Sequence, residues 1–255
     1  MFRHEGKKRT YTHNLRLASM LSFVAGLVNV SGVMQLQVLT TNVTGHFAYF
    51  AENIVLHKYA SSIVFVFYVA AFMLGAFCSS LLIELFSRRS VASPYIFPIS
   101  VEIICLLFVA LSSSTWANAN VLALVLLFGM GLQNALVTRV SNSVVRTTHL
   151  TGLFTDLGIE LSLFIFRKRY KHRLKNLKQG VYLKCFIIFF FFIGSVLGGF
   201  LVPQFHFKTL LVAVGLLIMA MFYDYFKLSF FHLKRRLSHH NRYRWKTKSS
   251  ERNLS

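Results

Sequence analysis

LTGLFTDLGIELSLFIF (Leu150–Phe166) is the stretch on which the fold turns. It falls just short of the roughly 20 apolar residues that carry a helix across a hydrocarbon core. Its acids, Asp156 and Glu160, stand four apart and so share one face of any helix formed there. If it crosses a membrane, every later segment is inverted.

Charge decides between the two arrangements. The 255-residue chain carries 28 Lys and Arg, with five in residues 1–16, seven in RKRYKHRLKNLK (167–178) and nine from Lys227 onward. With the N-terminus inside and 150–166 returning to the side it left, only Lys58 and Lys208 face outward; if the stretch crosses, 18 cations do. Cations in short loops are strongly biased to the cytoplasmic side. The stretch is therefore read as non-crossing.

Outward from it, six segments have spanning length: Leu17–Leu39, Ala60–Phe86, Tyr95–Leu111, Val121–Val137, Val181–Val202 and Thr209–Phe226. HFAYFAENIVLH (46–57) is too short to cross. The expectation is an all-α polytopic membrane bundle of six spanning helices and two re-entrant segments. A basic cytoplasmic N-terminus (1–16) and a basic cytoplasmic tail (227–255) flank one transmembrane domain (17–226).

Composition agrees. Charged residues make up 14% of the chain and hydrophobic ones 55%, where a soluble domain devotes about a quarter to charge. The net charge of +20 gathers at the flanks of apolar spans, where cations set orientation and meet anionic headgroups. No nucleic-acid recognition motif accompanies it. Cys78, Cys105 and Cys185 lie in apolar runs without metal-ligand spacing and read as small buried hydrophobes. The apolar run after the basic start is long enough to stay as a span, so no cleavable signal is expected.

Both non-crossing segments follow a Thr-rich, Gly-ended phrase: TTNVTG (Thr40–Gly45) and RTTHLTG (Arg146–Gly152). Each is preceded by Gly-x-x-Asn, Gly26/Asn29 and Gly131/Asn134, with 15 residues from Asn29 to Thr44 and 17 from Asn134 to Thr151. Each half, about 17–111 and 121–226, then holds three crossings. An odd number inserts the second half upside down, a 3+3 inverted repeat of the kind found in secondary transporters.

GLVNV…TTNVTGHF together with GMGLQNALVTRV…VRTTHLTGLFTDLGIEL resembles the YoaK-like family of bacterial inner-membrane proteins, a domain-of-unknown-function class. The resemblance runs from about Ala18 to Tyr225, and RTTHLTG followed by TDLG is its most specific part. It implies a six-span membrane protein with no established activity. In the family pattern an acid is common where this chain has Asn29, and Asn where it has His46.

The phrases admit two readings. Thr40, Thr41, Thr44, Thr147, Thr148 and Thr151 can cap helix starts, since unsatisfied amides in a membrane cost several kcal/mol. Alternatively, two helix starts entering from opposite faces form a polar centre for a small anionic or zwitterionic solute. Its binding residues would be Asn29, Thr41, Thr44, Gly45, Gln133, Asn134, Arg146, Thr148, Thr151 and Gly152. Glu102, His149 and Asp156 are the candidates for proton coupling, and Arg146 is expected to pair with Asp156 or Glu102. Glu84 and Arg88, four apart, read as an ordinary pair, and Arg139 as a topology anchor.

A secondary transporter is the leading expectation. A membrane-embedded hydrolase would need HExxH, Gly-x-Ser-x-Gly or paired acidic metal motifs, none of which occurs, so no catalytic residue, metal or cofactor is assigned. A scaffold or partner subunit, or a homo-oligomer, would use the small-residue face of Gly194, Gly198 and Gly199.

Overall fold

A computed structural model describes residues 11–88, 94–112, 118–141, 147–166 and 174–222. All regular structure in them is helical. The elements are α1 (Tyr11–Leu36), α2 (Val43–Val55), α3 (Tyr59–Arg88), α4 (Ile96–Leu111), α5 (Ala119–Val140), α6 (Leu150–Ile165) and α7 (Leu174–Phe205). A 3-10 turn (His206–Thr209) leads into α8, helical over residues 210–222.

Four apolar stretches are long enough to cross a membrane: Asn14–Leu36, Tyr59–Arg88, Ala119–Val140 and Asn176–Phe222. The last, 47 residues long, is two helices, because Pro203 ends α7 and His206 takes a φ of 50° at the 3-10 turn. α4, with 16 residues, is apolar but shorter. These helices define an integral membrane protein. The helix ends extend the expected spans by a few residues: α1 starts at Tyr11 and α7 at Leu174, before the apolar cores begin.

Lipid gives apolar side chains no reason to leave it, so helices here must associate by close packing. Glycine supplies the contact. A Cβ on Gly26 of α1 would strike the Phe191 carbonyl oxygen of α7, and one on Gly194 of α7 would strike the Phe23 carbonyl oxygen. The same reciprocal contact joins α3 to α5: Gly75 lies against the Phe128 carbonyl and Gly131 against the Phe72 carbonyl.

These contacts also fix direction. Along α1 and α7, Phe23 meets Gly194 and Leu27 meets Gly198, so the two helices run parallel. Tyr68 donates to Asn120 (2.8 Å), Gly75 meets Phe128 and Arg139 donates to Ser80 (2.7 Å), so α3 and α5 are parallel as well. α1 opposes α5: Gln133 donates to the Leu21 carbonyl (2.9 Å), while Val38 packs with Ala123 and Leu127. α5 and α7 are consequently antiparallel, and the α5 end and α7 start lie at the same end of the bundle. α6 therefore connects them without traversing it.

Arg139 also reaches Glu84 (3.3 Å), which pairs with Arg88 at 3.3 Å as expected. It ties α5 to α3, a role beyond anchoring topology. The three cysteines are free; Cys78 and Cys105 are half-buried, but Cys185 is exposed, contrary to the expectation of a buried side chain. It lies on α7, which packs chiefly through its α1 face.

Candidate helix-break site

α1 ends in an αL turn. The amide of Gln37, left-handed at φ 57°, bonds to the Val33 carbonyl (3.1 Å), and that of Val38 bonds to the Gly32 carbonyl (3.2 Å). The chain thereby folds back along its own helix. A Cβ at Gly32 would meet Val38 and Thr40, so Gly32 is what lets the return strand lie this close.

The return brings Thr41 to Asn29. Asn29 Oδ1 accepts from the Thr41 amide (3.2 Å) and from the Thr41 hydroxyl (3.0 Å). In the second half Asn134 Oδ1 accepts from the Thr148 hydroxyl at 3.0 Å. Thr40 and Thr147, the preceding residues, are both fully buried with their hydroxyls unpartnered. The phrases thus match residue by residue through Thr40/Thr147, Thr41/Thr148, Thr44/Thr151 and Gly45/Gly152.

The threonines do not cap, which corrects the capping expectation. Asn42 is the N-cap of α2 and accepts from the Gly45 amide at 3.2 Å. His149 is the N-cap of α6 and makes no side-chain capping bond. Thr41 and Thr148 instead clasp each break to the preceding long helix, and Thr44 and Thr151 are exposed. Gly45 and Gly152 do not leave open backbone beside them: the space of a Cβ belongs to Leu39 and Asn42 at one, and to the His149 ring at the other.

α2 packs antiparallel on the first part of α3. Ser62 donates to the Phe50 carbonyl (3.0 Å), and the His46 ring stands 5.4 Å from Tyr68 and 6.0 Å from Phe65. Tyr68 is nine residues beyond the start of α3, about 14 Å along it at the α-helical rise. The α2 N-terminus thus lies deep beside α3, within about two turns of Gly75. α6 pairs with α7 in the same sense. Lys184 bonds Glu160 at 2.7 Å, and Gly180 lies against the same carboxylate. Helical rise carries Leu150, ten residues before Glu160, about 15 Å deeper along α7. Because α3 and α7 are antiparallel, α2 and α6 start at depth and run to opposite ends of the bundle.

The structure brings the predicted residues into two groups. Asn29, Thr41, Thr44 and Gly45 form one break; Asn134, Thr148, Thr151 and Gly152 form the other, with His149 beside them. Gln133, next to Asn134 on α5, turns to α1 and bonds the Leu21 carbonyl, eight residues before Asn29. Arg146 lies outside the described residues. Glu102 is fully buried on α4, and neither carboxylate oxygen has a hydrogen-bond partner among the described residues; the expected pairing of Arg146 with Glu102 or Asp156 lies outside them. Asp156 is exposed on α6. Sequence reading missed the Glu160–Lys184 pair, because the two residues lie 24 apart on different helices. Its signal was a lone lysine inside an otherwise apolar span.

The family departures become intelligible here. Asn29 acts only as an acceptor, a role that a carboxylate fills equally well. His46 Nε2 lies 2.8 Å from the Leu39 carbonyl, so the ring donates, as an Asn amide can. Arrangement and sequence together define a helical membrane protein with two broken-helix motifs of one design. Residues 17–223 match the family described as "Protein of unknown function (DUF1275)", and the chain belongs to that family. No curated protein and no solved structure matches it.

Proposed function

We propose that this chain is a secondary transporter of a small anionic or zwitterionic solute, built as two inverted halves of three spans each. The observation that carries this reading is the matched pair of breaks. Asn29–Thr41 and Asn134–Thr148 share one geometry, and each leads into a short helix that starts at depth and runs to the opposite end from its counterpart. Helix starts at depth present amides and the positive end of a dipole, which favours negative charge on a ligand.

In this reading the solute is held by Thr44, Thr151 and the amides around Gly45 and Gly152, while Asn29 and Asn134 set the shape of the breaks and Arg146 adds charge. Gln133 bridges α5 to α1. Asp156, His149 and Glu102 are the groups available to carry a coupling charge. Both termini face the cytoplasm of the inner membrane, and α1, α3, α4, α5, α7 and α8 cross. The reciprocal glycine contacts support rocking of helix pairs, because backbone-to-backbone contact leaves few interlocked side chains to unpack.

The partner-subunit reading relied on Gly194, Gly198 and Gly199 as an outward face. Gly194 and Gly198 are taken up by α1 within the chain.

The test is uptake into proteoliposomes of a panel of small carboxylates, amino acids and inorganic anions, with and without a pH gradient. Thr151→Val should fold normally and reduce flux at least about tenfold, as loss of a hydrogen bond to a charged solute predicts, and Asp156→Asn should fold normally and reduce flux through lost coupling. Unimpaired flux in both variants, or no flux of any panel member in the parent protein, would sink the proposal.

A further inference from the structure

We infer that a small monovalent cation binds at the centre of the bundle, between Glu102 of α4, Gln133 of α5 and Ser22 of α1. All three side chains are fully buried. Glu102 leaves both carboxylate oxygens without a partner, Gln133 leaves Oε1 and Ser22 leaves Oγ.

The three helices bring these residues to one level. A Cβ on Gly129 of α5 would stand 3.7 Å from Cys105 of α4. The helices are joined through 112–118 and antiparallel, so Glu102, about one turn back from Cys105, comes level with Leu132 and Gln133. Gln133 is anchored by its own amide, whose Nε2 donates to the Leu21 carbonyl at 2.9 Å. That bond fixes the orientation of the side chain and leaves Oε1 as its free end. Ser22 is the next residue of α1.

The donor set decides the ligand. Four oxygen atoms, and no cationic side chain among the described residues, form this group, and a buried carboxylate stays ionised only beside a balancing charge. Oxygen ligands alone suit hard cations. One carboxylate balances one positive charge, whereas divalent sites gather several. No hydrogen bond joins the Glu102 carboxylate, Gln133 Oε1 and Ser22 Oγ. A cation seated among these oxygens would satisfy all of them, whereas a proton on Glu102 would serve one. Use of the ion for coupling rests on the transporter reading; its binding does not, and is measured without flux.

The probe is Na⁺ itself, titrated against choline at constant ionic strength while the melting temperature of the purified full-length protein is followed. The parent protein should gain stability as Na⁺ rises. Glu102→Gln should lose the dependence, and Glu102→Asp should need more Na⁺ for half its effect. Ser22→Ala, which keeps the fold even if Glu102→Gln does not, should also shift the half-saturating concentration upward. A parent protein insensitive to Na⁺, or a Glu102→Gln protein that keeps the full response, overturns the assignment. A melting temperature indifferent to Na⁺ but dependent on pH only when Glu102 is present would also overturn it, by showing that the site holds a proton.

Discussion

Asn29 and Asn134 do similar work with unequal numbers of bonds. Asn29 accepts two, one of them from the Thr41 backbone amide, and Asn134 accepts one from a hydroxyl. Asn29→Ala should therefore lower stability by about 1–3 kcal/mol and Asn134→Ala by about 1 kcal/mol, read by thermal unfolding in detergent. Asn29→Asp keeps the acceptor and should cost less than Asn29→Ala; an equal loss would count against acceptance as its role. Gln37 offers the opposite sign. Its left-handed conformation is strained for a side chain, so Gln37→Gly should raise stability by up to about 1 kcal/mol in the same assay. At this scale the sequence pointed to residues that gather at the two breaks, and it expected caps where Thr41 and Thr148 make clasps. Thr-rich phrases suggest capping, and nothing in a glutamine announces the reversal that carries Thr41 back to Asn29.

Between elements, what matters is which glycines meet a neighbour. Gly194 faces the Phe23 carbonyl of α1, whereas a Cβ on Gly199 would have nothing within 4 Å. Gly194→Ala should destabilise by about 1–3 kcal/mol through overpacking against backbone, and Gly199→Ala should be neutral. Similar melting temperatures for the two variants would remove the close contact of α1 and α7. Hydropathy located these helices because burial in lipid leaves a plain compositional trace. It did not separate Gly194 from Gly199, since position around a helix becomes meaningful only once the partner is known. The same limit hid the bond between Glu160 and Lys184, whose side chains are 22% and 15% exposed. Gly180→Ala should loosen it, because a Cβ there would lie 2.7 Å from the Glu160 carboxylate. A double-mutant cycle on Glu160 and Lys184 should lose its coupling in that background.

For the molecule as a whole, the proposal that Leu150–Phe166 returns to the side it left rests on two supports, charge counting and helix direction. The excess of cations in 167–178 argued that the stretch returns, and the antiparallel run of α5 and α7 places its two ends accordingly. Reporters inserted after Lys175 and after Ser229 should both lie on the cytoplasmic side. A Lys175 reporter outside would remove the inverted repeat and the proposal built on it. The parallel helix pairs were not legible in the chain at all, because hydropathy assigns crossings but not neighbours.

Those pairs set a timetable for biosynthesis. Tyr68 and its partner Asn120 are 52 residues apart, whereas Gly26 and Ser195 are separated by 169. At about 5–20 residues per second of translation, α5 emerges roughly 3–10 s after α3, but α7 follows α1 by roughly 8–34 s. The first helix made must wait in lipid, its glycine notch open, until nearly the last one arrives. A nascent chain arrested before Gly194 would keep that notch uncovered, a surface by which membrane quality control could tell unfinished protein from finished.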